Sequence, residues 1–93
     1  MNEMKKNIAV IVRGGREEAL RMALGLTLMS DRVDVFLTEA PPLKSETNDM
    51  NIEMLGDMRS GLFAVDMELS GFQTIGEDEL PEKLLLYDVV IPF

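Results

Sequence analysis

The fold of this chain is decided by residues 8–30, which read IAVIVRGGREEALRMALGLTLMS. Residues 8–12 are all apolar, and a run of this length is typical of a strand buried on both faces inside a parallel sheet. Gly14 and Gly15 interrupt the strand, and a helical pattern of apolar residues begins at about Arg16. A strand, a glycine turn and a helix form the first half of a β-α-β unit.

The rest of the chain repeats this alternation. Further strands are predicted at residues 33–38, 62–65, 73–75 and 89–91, and further helices at about 48–58, with Thr47 or Asn48 as N-cap, and 76–87. Such alternation predicts an α/β fold of three layers, in which a mainly parallel five-stranded sheet has helices on both faces. Because no linker interrupts the pattern, one domain is expected over residues 1–93.

The apolar faces of the first two helices lead to different expectations, because only the first helix carries more apolar surface than one contact with the sheet uses. In the first, predicted over residues 16–30, the charged residues and Gly25 occupy a narrow sector. A second contact is therefore expected, either a neighbouring helix or a second subunit, and the short chain favours the subunit. In the second helix, Met50, Met54 and Met58 fall on one face. Such a stripe is typical of a buried core, and an adaptable contact surface is the alternative.

The composition excludes several classes of chemistry. The chain has no cysteine, which excludes thiolate nucleophiles, disulfides and thiolate metal sites. It has no histidine, so the usual general base near neutral pH is absent and no serine triad can form. The acidic residues 77–79 suit a helix dipole better than a metal. Neither a cofactor nor a metal site is predicted, and catalytic activity is not expected.

The charge also limits the partners. The formal net charge is −8, and the acids concentrate towards the C-terminal end. A phosphate backbone would be repelled, so nucleic acid is not an expected partner. The acidity serves solubility or, alternatively, docking of a basic partner. No apolar run is long enough for a membrane span, and no signal-peptide core follows Lys5 and Lys6, so a cytoplasmic location is expected.

Candidate ligand-binding residues follow from the rule that ligands bind beyond the carboxyl ends of parallel strands. The first strand ends in a turn made of Arg13, Gly14, Gly15 and Arg16. Backbone N–H groups and two arginines ahead of a helix suit a small anion. A plain tight turn is the alternative, because the GxGxxG spacing and the Lys-Ser/Thr of a P-loop are both missing. The same rule adds candidates at the next two strand ends: Thr38, Val65, Asp66 and Met67.

One stretch resembles a known family. Residues 63–72 read FAVDMELSGF and are similar to a stretch of the DsrE/DsrF-like family of sulfur-relay proteins. In that family the third strand ends in an aromatic-Ala-Cys-x-Met pattern, followed shortly by Leu-x-Gly. Residues 88–93, DVVIPF, resemble its Asp-x-Val-x-x-Phe ending. The resemblance implies a five-stranded parallel sheet, an oligomer (dimer, trimer or hexamer), and sulfur carried as a cysteine persulfide.

The chain departs from this family at the position that matters most. Val65 stands where the family has its sulfur-carrying cysteine, and the segment after Met67 is shorter than the family pattern. A persulfide requires a thiolate, so valine cannot carry sulfur and that activity does not transfer. The resemblance then implies a non-catalytic subunit, either a homo-oligomer or a hetero-oligomer with a cysteine-bearing relative.

Overall fold

The structure, a computed structural model, describes residues 6–14, 17–28, 32–39, 45–58 and 60–92. Its strands are β1 (Asn7–Arg13), β2 (Arg32–Thr38), β3 (Leu62–Val65), β4 (Gln73–Ile75) and β5 (Val89–Pro92). Its helices are α1 (Glu17–Leu26), α2 (Glu46–Asp57) and α3 (Leu80–Leu84), the last preceded by a 3-10 turn (Glu77–Glu79). None of these helices combines the length and the apolar character that crossing a membrane takes.

The described strands form one sheet in the order β4-β3-β2-β1-β5, and every pairing is parallel. The predicted α/β class with a parallel five-stranded sheet is therefore confirmed. β1 lies between β2 and β5, so the chain crosses the whole sheet between β4 and β5. Asp88, just before β5, fastens this return because Asn7 N–H donates to its Oδ2 (2.9 Å) and its own N–H donates to Asn7 O (2.9 Å).

The central strands carry two separate apolar clusters. The first contains Ile8, Val10, Val12, Val33, Val35 and Leu37 of the strands, Ala19, Leu20 and Ala23 of α1, and Leu55 of α2. The second contains Ala9 and Phe36, which alternate along β1 and β2 with residues of the first cluster, together with Val65 and Ile75. The partly buried Leu80 and Leu84 pack against it. Because successive strand residues point to opposite faces, the sheet is packed on both of them. Such packing is what three layers require, and the three-layer arrangement itself stays a prediction.

The start of α2 differs from the predicted one by its cap. Ser45 is the N-cap, and its Oγ accepts a hydrogen bond from Asn48 N–H (3.0 Å). The predicted caps, Thr47 and Asn48, lie inside the helix instead. The buried residues of α2 are Asn48, Asn51 and Leu55.

The predictions for apolar helix faces are partly wrong. Met50, Met54 and Met58 are exposed, so the prediction that they form core is wrong. At about 100° per residue they lie about a quarter turn away from the buried residues of α2, which are Asn48, Asn51 and Leu55. Leu85, which follows directly after α3, is also exposed. α1 packs against α2, so its second contact is the neighbouring helix, one of the two expected alternatives. Contact of α1 with a second subunit stays a prediction.

Candidate functional site

A pocket of about 490 Å³ lies at the carboxyl ends of β2 and β3. It is lined by four of the predicted ligand-binding residues: Thr38, Val65, Asp66 and Met67. Ile11 and Leu80 contribute apolar surface, and Glu39 and Glu77 contribute carboxylates. The structure therefore brings together the candidates from two strand ends, and it adds Glu77, which the sequence pattern did not indicate.

The predicted anion-binding turn is described only in part. Gly15 and Arg16 lie outside the described residues. Gly14 has a φ of +75°, a conformation that favours glycine, and its N–H donates to Thr38 O (3.2 Å). One of the backbone donors expected to hold an anion is therefore used to fasten the turn to β2. Arg13 Nη1 lies 4.0 Å from Glu39 Oε2, and this exposed ion pair adds little stability.

The charge of the pocket favours cations over anions. Glu39, Asp66 and Glu77 line it, and no basic side chain does so among the described residues. Clefts lined by one sign of charge concentrate ligands of the opposite sign. Within the described part of the chain, no three acidic side chains are grouped closely enough to hold a metal ion.

The backbone of the pocket is strained at two positions. Glu39 has a φ of 74° and Asp66 a φ of 57°, both in the left-handed region. Such a conformation costs a non-glycine residue roughly 1 kcal/mol or more, and it recurs at functional sites. Asp66 is held there because its N–H donates to Ile75 O (2.8 Å) and its Oδ1 accepts from Glu77 N–H (3.2 Å). The end of β3 is thereby fixed to the segment that leads into α3.

Val65 lies in the wall of this pocket. It is buried and belongs to the second apolar cluster. Its methyl groups give the pocket an apolar contact and no nucleophile. Val65 therefore cannot exchange sulfur with a molecule in this pocket.

A buried carboxylate near the start of β2 was not predicted as a site. Asp34 is only 1% exposed, although a charge in a strand suggests exposure. Arg32 Nε donates to both of its oxygens (3.1 and 3.0 Å), and Gly61 N–H donates to Oδ1 (2.6 Å). The Tyr87 hydroxyl donates to Oδ2. We call Asp34, Arg32, Gly61 and Tyr87 the Asp34 cluster; the signal for it in the sequence is Arg32 two residues earlier, on the same side of the strand.

The Asp34 cluster is structural. Both oxygens of Asp34 accept hydrogen bonds, which compensate the burial of the charge. Its partners lie before β3 and after α3, so it ties both segments to β2. Gly61 fits because an added Cβ would lie 2.8 Å from Phe63 Cε2 and 2.9 Å from Asp34 Oδ1. A small cavity of about 280 Å³ adjoins the cluster and is also lined by Lys83, whose Nζ lies 4.9 Å from the ring centre of Phe63.

Tyr87 is expected to ionise only at a pH well above that of an ordinary tyrosine. Burial raises the pKa of Tyr87 above its usual 10.0, and the hydrogen bond to Asp34 and the charge of Asp34 raise it further, against a smaller lowering by Arg32. The chain has one tyrosine and no tryptophan, so phenolate absorbance reports this residue alone. We expect Asp34→Asn to lower the pH at which half of Tyr87 is ionised. This pH should still lie above that of an ordinary tyrosine, because Tyr87 stays partly buried in the variant.

The same shift fixes the direction of the pH dependence of stability. The folded state holds the Tyr87 proton more tightly than the unfolded state. Protonated Tyr87 therefore makes its full contribution to the free energy of unfolding below pH 10.0, and this contribution is lost as the pH rises further. Titration of the unfolded protein in denaturant is the control and should give the ordinary pKa of a tyrosine. A folded protein whose single tyrosine ionises at that ordinary value would contradict the Asp34–Tyr87 hydrogen bond.

A second concave surface lies between α1 and α2 and has a volume of about 430 Å³. We call it the methionine groove; it is lined by Arg21, Leu24, Gly25, Thr27, Leu28, Met54, Asp57 and Met58. Leu28 is 81% exposed, and Met54 and Met58 are 43% and 47% exposed. The alternative interpretation of the methionine stripe, a contact surface, agrees with this exposure.

Comparison with known proteins assigns no family to the chain. Neither a scan against protein-family models nor a search of curated proteins finds a match. The resemblance to the DsrE/DsrF-like family therefore stays a prediction. The features of the described residues that bear on function are the strand-end pocket, the Asp34 cluster and the methionine groove.

Proposed function

We propose that this protein is a non-catalytic subunit of a larger assembly and acts through the surfaces that it presents. The observation that carries the proposal is the exposed apolar lining of the methionine groove, above all Leu28, Met54 and Met58. Contiguous exposed apolar surface is typical of interaction sites, whereas single exposed apolar residues are common everywhere. The absence of cysteine and histidine supports a role without covalent chemistry.

The family resemblance supports the same proposal in a more specific form. On this proposal the protein is cytoplasmic and serves intracellular sulfur relay as a DsrE/DsrF-like subunit without a persulfide of its own. It assembles with further copies of itself or with a cysteine-bearing relative. Val65 at the wall of the strand-end pocket then marks the place where the relative carries its cysteine.

Sedimentation equilibrium tests the assembly directly. We expect the purified protein at micromolar concentration to have a multiple of the mass of one chain. A single-chain mass over the whole concentration range would overturn self-assembly. Co-expression with a cysteine-bearing relative, where the gene neighbourhood encodes one, tests the hetero-oligomer, and failure of the two to co-purify would overturn it.

Binding of a small anionic ligand or nucleotide is a second candidate function. It is favoured by the pocket in which Thr38, Val65, Asp66 and Met67 meet, and it depends on the turn at residues 13–16 for positive charge. The three carboxylates of the lining act against it. Thermal shifts with phosphate, sulfate and nucleotides test the candidate, because a ligand at a hundred times its Kd adds about 2.7 kcal/mol of stability. Arg13→Ala should abolish such a shift, and a shift with a polyamine alone would show that the pocket prefers cations.

A further inference from the structure

We infer that the methionine groove binds a cationic amphipathic segment of a partner protein, such as a helix with lysine or arginine on one face and leucine on the other. This inference names the partner chemistry at the methionine groove and rests on the proposed function in its hetero-oligomer form; self-assembly would then use another surface. Three properties of the groove support it: its apolar lining, the charge along its α2 side, and the room left by a glycine.

The apolar lining suits a helical segment. Leu24 and Leu28 line one side of the groove, and Met54 and Met58 line the other. A groove between two helices can take the apolar face of a third, whose contact residues recur every three to four positions. Methionine side chains are flexible and polarizable, so they adapt to apolar surfaces of different shape. The lining therefore selects for apolar side chains without demanding one shape.

The charge beside the groove selects the sign of the partner. The residues of α2 include the exposed acids Glu46, Asp49, Glu53 and Asp57 and no base. At about 100° per residue, Glu46, Glu53 and Asp57 fall beside Met50 and Met54 on the exposed face of the helix. An apolar lining next to carboxylates is complementary to a segment that carries lysine or arginine beside its apolar face.

The same charge disfavours a second copy of this chain as the occupant. Two copies that meet through their grooves would bring the acids of one α2 near those of the other, and each chain has a net charge of −8. Among the described residues that line the groove, Arg21 is the one base and Asp57 the one acid, so the excess of negative charge comes from the other exposed acids of α2. Like charges juxtaposed across an interface cost binding energy, so a basic partner fits better.

Gly25 leaves room that packing within the chain does not use. It lies within α1, where glycine costs about 1 kcal/mol relative to alanine. A Cβ added there would meet no atom within 4 Å, so no close contact inside the described part of the chain requires glycine. Gly25 lines the groove, and a side chain at this position would occupy space that a bound segment needs.

A designed helical peptide of leucine and lysine tests the inference, with leucine at every third or fourth position. Two further peptides serve as ligand controls: one with lysine replaced by glutamate, and one with leucine replaced by serine. We expect calorimetry to detect binding of the leucine–lysine peptide, weaker at high salt, and no binding of the other two. Equal binding of the serine–lysine peptide would show unspecific charge attraction and overturn the inference.

Protein variants locate the binding. We expect the double variant Met54→Gln with Met58→Gln, and separately Gly25→Gln, to weaken binding at least about tenfold, or about 1.4 kcal/mol. The matched control is Leu85→Gln with Leu86→Gln, which also removes two exposed apolar side chains, but far from the groove in the chain. It should bind the peptide unchanged. Binding that survives both groove variants would overturn the inference.

Sedimentation of the same samples separates this inference from the proposed function. If the protein self-associates, the groove variants dissociate it and the leucine–lysine peptide does not bind, then the occupant is a second copy and only the inference fails. If the protein is monomeric and binds the peptide through the groove, the inference holds and self-assembly fails. A monomer that binds no peptide would overturn both.

Discussion

Replacing Asp34 by alanine is expected to lower the free energy of unfolding by about 1–3 kcal/mol for each of the two partly buried donors that lose their acceptor, Gly61 N–H and the Tyr87 hydroxyl. Asp34 is 1% exposed and accepts hydrogen bonds from Gly61 N–H and the Tyr87 hydroxyl as well as from Arg32. Alanine leaves these donors without an acceptor in a site that the side chain formerly filled. Since small domains are stable by only about 5–15 kcal/mol in total, urea unfolding should show the loss clearly.

Three further variants separate the causes of this loss. Tyr87→Phe removes one donor and keeps the carboxylate, so we expect about 1–2 kcal/mol. Asp34→Asn keeps the size of the side chain and one acceptor oxygen, so its loss of stability should lie between the losses for Asp34→Ala and Tyr87→Phe. Glu68→Ala removes an exposed acid and should change stability least. A loss below about 1 kcal/mol for Asp34→Ala would mean that the cluster does not hold β2 to the segments before β3 and after α3.

The sheet could be predicted from the sequence because its strands are short apolar runs with clear ends. The predicted third and fourth strands, 62–65 and 73–75, match β3 and β4 to the residue. Gly61 precedes the first of these strands and Gly76 follows the second, so turn chemistry fixed their bounds. Alternation of strands with helices then left a parallel sheet as the consistent arrangement.

The outward faces of the helices could not be predicted in the same way. Periodicity shows that Met50, Met54 and Met58 share a face, but it does not show which face meets the sheet. The structure turns Asn48, Asn51 and Leu55 inward instead. Burying two asparagines runs against the usual preference for apolar residues in the core, so no rule based on hydrophobicity would choose this orientation.

The strand-end pocket shows the same division between local and long-range information. The strand-end rule brought Thr38, Val65 and Asp66 together correctly, since parallel strands end at one edge of a sheet. Glu77 reaches the pocket from the far side of β4 through a contact between its N–H and Asp66 Oδ1. That contact depends on the path of the chain after β4, which the sequence pattern does not show. The expectation of an anion site therefore took account of Arg13 and Arg16 and not of the carboxylate of Glu77.

Replacing Phe36 by alanine is expected to cost about 3–5 kcal/mol, as for other fully buried phenylalanines. Phe36 is fully buried, and its cluster is small, with only Ala9, Val65 and Ile75 as its other buried members among the described residues. Its ring stacks on Phe63 with ring centres 4.9 Å apart and meets Tyr87 edge-on at 5.7 Å. Alanine removes both aromatic contacts and leaves a cavity that few neighbours can fill.

Phe36→Leu keeps the prediction measurable if the alanine variant does not fold. Leucine retains much of the buried volume and loses the ring contacts, so its loss should be smaller than that of alanine and still detectable. Phe63→Ala is the matched control, because Phe63 is only half-buried and its loss should be smaller than that of Phe36→Ala. Since Phe36 packs in one cluster with Leu80 and Leu84, hydrogen exchange in the leucine variant should rise first in α3. Uniform exchange throughout the sheet would show instead that α3 and the sheet unfold as one unit, which would contradict a separate role for this cluster in holding α3.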